Sequence, residues 1–590
     1  MQYSLWFYIK ILLIPCTLTI GNYYLNSQAI SSQAINFQKL HQQLNKQFDN
    51  HTTNVTTNKQ IEPIKQNQEL DQPANQSAIP YLPPIAIKQP SELIAQLPDL
   101  WQRKWEIDPA VLERLLNSQM GENLLASLGN LIVANTGENG KDAIKNGLLK
   151  AANDPAGLTI ENIIQKLSQA NININLIVST LWFKEFEQLR QNTINVTQYI
   201  ENLAQTETSK NFFNAWQDSP DLRETGERQW RPLFYTFFDE KRQRHILANI
   251  YLPNLPDLPN NQNNNKTIPV IVISHGLADS VKTWEHLAEH LVTHGYAVIV
   301  LEHPGSNTEQ LTQIINGYDT ELTTAEEFIN RPLDVSFILN QLTDPTTDYE
   351  FDQISQKYQT YLEKLDLNNV GIIGHSFGGY TALALAGVKL DFDQLKNDCK
   401  NNNIALNPAL LLQCLALNLP ENYYNRFNQS NQLADNRIKS VFLINPVTSA
   451  IFNRKDWGRL NIPIFMVTSG GDTVAPSLIE SITPFTRLTS PDRYLMTISQ
   501  GLHFFADATP LYTVFEGEKI AEININYQAI ARSYVNAFSV AFFDQYLKNP
   551  ELPTNPYLTA NYAEYISELP LQLSLIRSLT KADLSNRLNN

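Results

Sequence analysis

The sequence predicts an α/β fold: a mostly parallel sheet carrying an inserted cap, preceded by a small all-α domain. Three observations carry this. From Trp230 to about residue 547, short β-branched runs alternate with helical stretches, as in a chain that winds strands and helices in turn. The runs at 268–273, 296–301 and 441–444 are continuously apolar, the pattern of strands covered on both faces. The stretch Gly374-His375-Ser376-Phe377-Gly378-Gly379 follows a run with Val370, Ile372 and Ile373 and precedes the Ala/Leu-rich 381–386. It therefore reads as strand, sharp turn and helix, with glycine where strand and helix must approach closely.

At 590 residues the chain is too long for one ordinary domain and suggests roughly two to four. Its apolar and aromatic content is that of a globular protein. A net charge of −15 argues against nucleic acid and against anionic membrane surfaces as electrostatic partners. No long Lys/Arg run offsets that charge.

Residues 1–29 read as an export signal. Lys10 precedes an apolar run at 11–20, and small residues at Ser27 and Ala29, or at Ser32 and Ala34, suit cleavage. The alternative is an uncleaved anchor, in which residues 6–9 lengthen the run and Lys10 snorkels. Cleavage would remove Cys16 and leave Cys399 and Cys414, an even pair in an oxidising compartment, which we expect to be disulfide-bonded.

Residues 30–89 are rich in Gln, Asn, Thr and Pro with no hydrophobic period, and read as a low-complexity linker. The segment 90–215 is helical in pattern. Asp108-Pro109 combines a capping residue with proline at the first helical position, and Val111, Leu112, Leu115 and Leu116 follow at helical spacing. Helices are also predicted at 122–133, at 140–152 and from Thr159, an N-cap, to Leu167. No cluster of His, Cys or carboxylates with ligand spacing occurs there.

The α/β domain is assigned to 216–550. Residues 231–238 and 246–252 form a predicted hairpin. Strands follow at 268–273, 296–301, 441–444, 464–467 and 494–498, with helices at 284–294 and 331–342 and a long closing helix at 527–547. The alternation breaks at 388–436, which is read as the cap insertion. Residues 551–590 read as a C-terminal tail.

A lone Gly-x-Ser-x-Gly arises by chance in roughly one chain in ten of this length, so context decides. Serine needs a base to take its proton and a carboxylate to orient the base. In a strand–turn–helix nucleophile fold the chain order is serine, acid, histidine. His503 is the sole histidine after Ser376, on the loop following the last strand. Asp472 lies on the loop after 464–467, whereas the neighbouring strand exit, Asn445-Pro446, offers no carboxylate. Two backbone N–H groups should face the developing oxyanion: Phe377, next to the serine, and one from the loop His275-Gly276-Leu277-Ala278, with Leu277 the choice. His275, His303 and His375 are read as structural or pocket-lining. No metal site and no cofactor is expected, since His290 and His294 lack the glutamate of a zinc-protease helix.

On Gly374-His375-Ser376-Phe377-Gly378-Gly379 and Asp472-Thr473-Val474-Ala475-Pro476, residues 231–547 resemble α/β-hydrolases, nearest the dienelactone-hydrolase-like, platelet-activating-factor-acetylhydrolase-like and cutinase-like serine esterases. The resemblance implies catalytic roles for Ser376, Asp472 and His503. Residues 90–175, on Leu112-Glu113-Arg114-Leu115-Leu116 and the 151–159 stretch, resemble a helical domain of unknown function that precedes hydrolase domains in bacterial, largely cyanobacterial, proteins. The departure from the family pattern is the 388–436 insertion, where leucines at 406–419 could roof an acyl pocket or simply pack.

The expected activity is an exported serine carboxylic-ester hydrolase acting on a small-molecule or lipid ester; any membrane contact would be peripheral. A peptidase or acyltransferase on the same residues, or a scaffold working through the helical domain, is the alternative.

Overall fold

In the computed structural model the described residues run from 104 to 588, apart from 106, 135–138, 169–171, 175, 209–215, 217–218, 255–266, 345–348, 401–405, 429, 504–517 and 552–554. The stretches read as export signal or anchor and as linker lie outside the described residues. Among those described, no helix is long and apolar enough to cross a membrane.

A nine-stranded sheet organises the chain. With β1 (Ile132–Ala134) and β2 (Ile172–Ile174) paired separately, the sheet runs in the order β11-β10-β9-β8-β7-β5-β6-β4-β3. Its strands are β3 (Trp230–Asp239), β4 (Arg244–Pro253), β5 (Ile268–Ser274), β6 (Ala297–Leu301), β7 (Leu365–His375), β8 (Ile438–Ile444), β9 (Ile464–Ser469), β10 (Arg493–Ile498) and β11 (Leu573–Ile576). The six from β6 to β10 and β5 between them are parallel. The β3–β4 hairpin joins antiparallel at one edge and β11 at the other. Every residue of β6 is buried, as the unbroken apolar run requires when helices cover both faces.

Alternate residues divide the core. Ile271, Ile273, Val298, Val300, Phe442, Phe465 and Tyr494 pack with Tyr534, Phe538, Phe542 and Phe543 of the long helix Glu518–Phe543. The rings of Phe442 and Phe465 stack at 4.7 Å, and Phe465 meets Phe538 at 5.6 Å. Truncating such an anchor, as in Phe538→Ala, costs about 3–5 kcal/mol. On the opposite side lie the helices Glu327–Thr343 and Phe377–Leu385, in contact with each other.

Three predicted boundaries move. Residues 551–590 are more than a tail: they supply the helix Ala560–Ile566 and β11, whose antiparallel pairing completes the sheet. Only four residues long, β11 carries too little period to read from sequence. The helix expected from Arg331 starts at Glu327, with Pro332 inside it. The N-terminal helical part contains one short antiparallel pair, β1 with β2, besides its helices.

Local chemistry sets those helices. Asp108 Oδ1 accepts from Ala110 N at 2.7 Å, and Pro109 occupies the first position of Pro109–Asn117. Thr159 Oγ1 accepts from Asn162 N at 3.0 Å. Two reciprocal caps join this part to the sheet domain. Arg114 donates from Nε to Ile314 O at 2.6 Å and from Nη2 to Ile315 O at 2.7 Å, at the carbonyl end of helix Thr308–Asn316. In return Glu321 accepts from Gln119 N at 3.0 Å, at the amide end of helix Gln119–Gly129.

The 388–436 insertion is helical, with Phe392–Lys400, Ala409–Leu415 and Glu421–Phe427. Cys399 and Cys414 are disulfide-bonded, their Cα atoms 5.9 Å apart. Leu411, Leu412 and Leu415 are buried, and their helix packs on Gln119–Gly129 of the helical part.

Candidate active site

The central strand β7 delivers Ser376 to the sheet's C-terminal edge. Ser376 has φ 53° and ψ −114°, a strained conformation for a residue with a side chain. The turn is tight enough that a Cβ on Gly374 would strike the Gly378 carbonyl, and one on Gly378 would strike the Ser274 carbonyl. Two backbone bonds from the neighbouring strand's exit hold the strain in place: Ser376 N–H donates to Ile444 O at 3.0 Å, and Val447 N–H donates to Ser376 O at 3.1 Å. Phe377 opens the helix Phe377–Leu385, so its N–H belongs to the first turn, whose amides have no partner within the helix.

Asp472 and His503 come together from adjacent strands. The exits of β9 and β10 are tied by Gly470 N to Ile498 O at 2.8 Å and Gly471 N to Gly501 O at 2.9 Å. Asp472 Oδ1 accepts from Val474 N and Ala475 N, both at 2.8 Å, which aims Oδ2 at His503 Nδ1, 2.6 Å away. Both side chains are buried. Asp472 accepts at Oδ2, so the proton of that pair sits on Nδ1 and leaves Nε2 as the basic nitrogen.

The serine and histidine loops meet through His375. Its Nε2 lies 2.9 Å from the His503 carbonyl, an oxygen that can only accept, so Nε2 carries the proton. The rings of His375 and His503 are 5.0 Å apart. Burial, with the neighbouring His503 second, lowers the His375 pKa to about 3, so His375 is a neutral donor and not a competing base.

The loop after β5 stands against the nucleophile. A Cβ on Gly276 would lie 3.3 Å from Ser376 Cβ and 3.0 Å from His375 Nδ1. Ala278, at φ 54°, donates its N–H to Ser306 O at 2.7 Å. Leu277, between them, is buried. The structure thus brings the loop proposed for the first oxyanion donor beside the serine, and the helix carrying Phe377 follows it.

Beside the site lies a buried polar network of which the sequence reading gave only His275 and His303, as structural or pocket-lining residues. His275 accepts from His303 N–H at Nε2, 3.0 Å, and holds the Gly276 carbonyl through Nδ1 at 2.7 Å. His303 bridges Ser274 Oγ at 2.9 Å and Asp334 Oδ2 at 3.1 Å. Burial, with the Arg331 charge second, pushes both histidines well below the ordinary range. Asp334 also receives Arg242 and Arg244, at 2.7 and 2.9 Å. Arg331, one turn earlier, is completely buried, and burial lowers its pKa to about 9. Elsewhere Glu480 is buried and accepts from Thr448, Ser449, Asn407 and Gln413. The one sequence signal was three charges, Glu327, Arg331 and Asp334, at helical spacing on one face of an otherwise apolar stretch. Their partners lie in other elements and leave no local trace.

A mostly parallel sheet with a strained serine at the turn after its central strand, and an Asp–His pair on the exits of β9 and β10, defines a hydrolase of the α/β class. Comparison with family models agrees. The model described as alpha/beta hydrolase fold matches residues 269–401, from β5 through the serine turn into the insertion. A second, described as alpha/beta hydrolase of unknown function (DUF1400), matches residues 68–175. The first match and the nine-stranded sheet together give the sheet domain the α/β-hydrolase fold. No curated protein matches it.

Proposed function

We propose that this protein is an exported serine carboxylic-ester hydrolase that works through an acyl-enzyme. The observation that carries the reading is the 2.6 Å contact of His503 Nδ1 with Asp472 Oδ2 on a loop hydrogen-bonded to the residue before Ser376. In this scheme Ser376 Oγ attacks the ester carbonyl while its proton passes to His503 Nε2. The carbonyl electron pair moves onto oxygen, where the N–H groups of Leu277 and Phe377 receive it; each such donor contributes about 3–4 kcal/mol. The C–O bond to the alcohol then breaks and His503 returns the proton to the leaving alkoxide. Water repeats the sequence on the acyl-enzyme and releases the acid. Asp472 stays ionised and fixes the tautomer.

The likeness to dienelactone-hydrolase-like, platelet-activating-factor-acetylhydrolase-like and cutinase-like esterases supports an ester substrate; dienelactone hydrolases proper use a cysteine nucleophile, and serine here favours ordinary esters. The helix Ala409–Leu415 packs on Gln119–Gly129 and its leucines are buried, so they carry no argument for acyl length.

A fluorophosphonate probe with peptide mapping tests the reading. Expected is a single adduct on Ser376, absent in Ser376→Ala, together with loss of p-nitrophenyl-ester turnover in a variant that keeps its circular dichroism. An adduct on another residue, or turnover unchanged in Ser376→Ala, rejects it. A panel of ester chain lengths then defines the substrate.

A further inference from the structure

We propose that Arg331 is the positioning residue of the oxyanion hole: its buried guanidinium locks the loop bearing Leu277 against the helix that begins at Phe377 and sets a positive charge behind both. The proposal rests on the esterase reading above.

Arg331 is 0% exposed, and three separate pieces of the site converge on it. At the end of β5 and the start of the loop after it, Nη2 donates to Ser274 Oγ at 3.4 Å and, more closely, to the His275 carbonyl. From the loop after β6, Ser306 Oγ accepts from Nη1 at 2.8 Å. From the nucleophile helix, Thr381 Oγ1 accepts from Nε at 3.2 Å, and the guanidinium carbon lies 4.5 Å from the centre of the Phe377 ring. The His275 carbonyl belongs to the peptide that leads into Gly276 and Leu277. Ser306 in turn holds Ala278, the residue after Leu277, through its own carbonyl. One side chain therefore grips the peptide before Leu277, the loop that anchors the peptide after it, and the residue that supplies the second donor.

The electrostatics are unusual for a residue that only packs. Among the described residues no carboxylate lies within ion-pair distance of Arg331. The two acids on its own helix are engaged elsewhere: Glu327 with Arg244 at 2.7 Å, and Asp334 with Arg242, Arg244 and His303. Its hydrogen bonds go to neutral oxygens and its face to an aromatic ring. Glu327, Asp334 and Asp279 favour its charge only from beyond contact distance, and a buried cation without a contacting anion is costly to fold around. It is most useful where negative charge develops nearby, in a site that is already dry and oriented.

The test compares Arg331→Met, which keeps bulk without charge, with Arg331→Lys, which keeps charge without the planar fork. For folded Arg331→Met we expect kcat on p-nitrophenyl acetate to fall about 100-fold with KM changed less than about 3-fold, the size of losing one oxyanion donor. Affinity for a trifluoromethyl ketone, which forms a tetrahedral adduct, should fall by a similar factor. Arg331→Lys should recover part of both. A folded Arg331→Met with kcat within about 3-fold of wild type, or reduced kcat with ketone affinity unchanged, overturns the proposal. If Arg331→Met does not fold, Thr381→Val and Ser306→Ala each remove one anchor; a fall in kcat at constant KM is expected in both, and unchanged kcat in both overturns it. Wild-type protein without ester turnover or Ser376 labelling would instead remove the esterase reading, and this proposal with it.

Discussion

Asn445, at the end of β8, donates from Nδ2 to the carbonyl of His503 at 3.0 Å and to that of Leu502 at 3.1 Å. The candidate base is thus held from a strand two places away in the sheet from β10, which precedes it. Asn445 Oδ1 accepts from Ser469 N at 2.9 Å, and the residue adopts φ 41° to reach all three. His375 is the second donor to the same His503 carbonyl. The strand exit that offers no acid offers an amide instead.

Removing that amide should loosen His503 without abolishing the Asp472 contact. Asn445→Ala is expected to lower kcat about 10-fold, far less than the ~10⁴-fold expected of Asp472→Asn, which disturbs the tautomer itself. Steady-state kinetics on one p-nitrophenyl ester, with both variants in parallel, checks the ranking. Equal losses would show that Asn445 does more than hold the loop.

Glu480 is the hub between cap and sheet. Its carboxylate accepts from Thr448 N at 2.6 Å, Ser449 N at 2.8 Å, Ser449 Oγ and Asn407 Nδ2 at 2.5 Å, and Gln413 Nε2 at 3.1 Å. Glu480→Gln turns an amide NH₂ towards some of these donors and leaves them unpaired in the interior. We expect a destabilisation of about 3 kcal/mol in urea unfolding, with faster hydrogen exchange at 406–419. A change below about 1 kcal/mol would mean the network re-forms around the amide.

The cap disulfide closes a short loop, its cysteines separated by 15 in sequence. Loop-closure entropy at that length corresponds to about 3 kcal/mol. Dithiothreitol should therefore lower the thermal midpoint of the native protein and leave that of a Cys399→Ser/Cys414→Ser variant where it stands. Mass mapping without reductant should recover the linked peptide from the purified protein; two free thiols there would remove the bridge.

His290 lies away from the site and offers a clean pH probe. It donates from Nε2 to Leu222 O at 3.1 Å, and burial, with the neighbouring His294 second, lowers its pKa to about 3. Folded, it stays neutral; unfolded, it takes up a proton below about pH 6.5. Its contribution is therefore complete above the unfolded value and is lost as pH falls, by about 1.4 kcal/mol per pH unit. Urea stability of His290→Gln should decline less steeply than that of wild type between pH 6.5 and 5.5. Parallel curves would show that His290 is protonated in the folded protein.

How far the sequence could be read follows from where each signal resides. The parallel strands were legible because a strand buried on both faces must be apolar throughout, as 297–301 and 441–444 are. The serine turn was legible because two of its glycines leave no room for a side chain. By contrast β11 is four residues at an edge, and its place beside β10 depends on a chain reversal after the helix Ala560–Ile566. Arg114 could be seen in the sequence, but its role as a cap on Thr308–Asn316 could not, since the carbonyls it satisfies lie about two hundred positions later.

By itself, then, the sequence determined the α/β class, the strand order of events along the chain, and the positions of Ser376, Asp472 and His503 relative to strand ends, because periodicity and steric exclusion act locally. Only the tertiary structure decided what surrounds them. The grip of Asn445 on His503, the hub at Glu480 and the convergence of two loops and the nucleophile helix on Arg331 join residues from different elements. Buried polar groups must find partners wherever the fold brings them, and that need is met in space rather than along the chain.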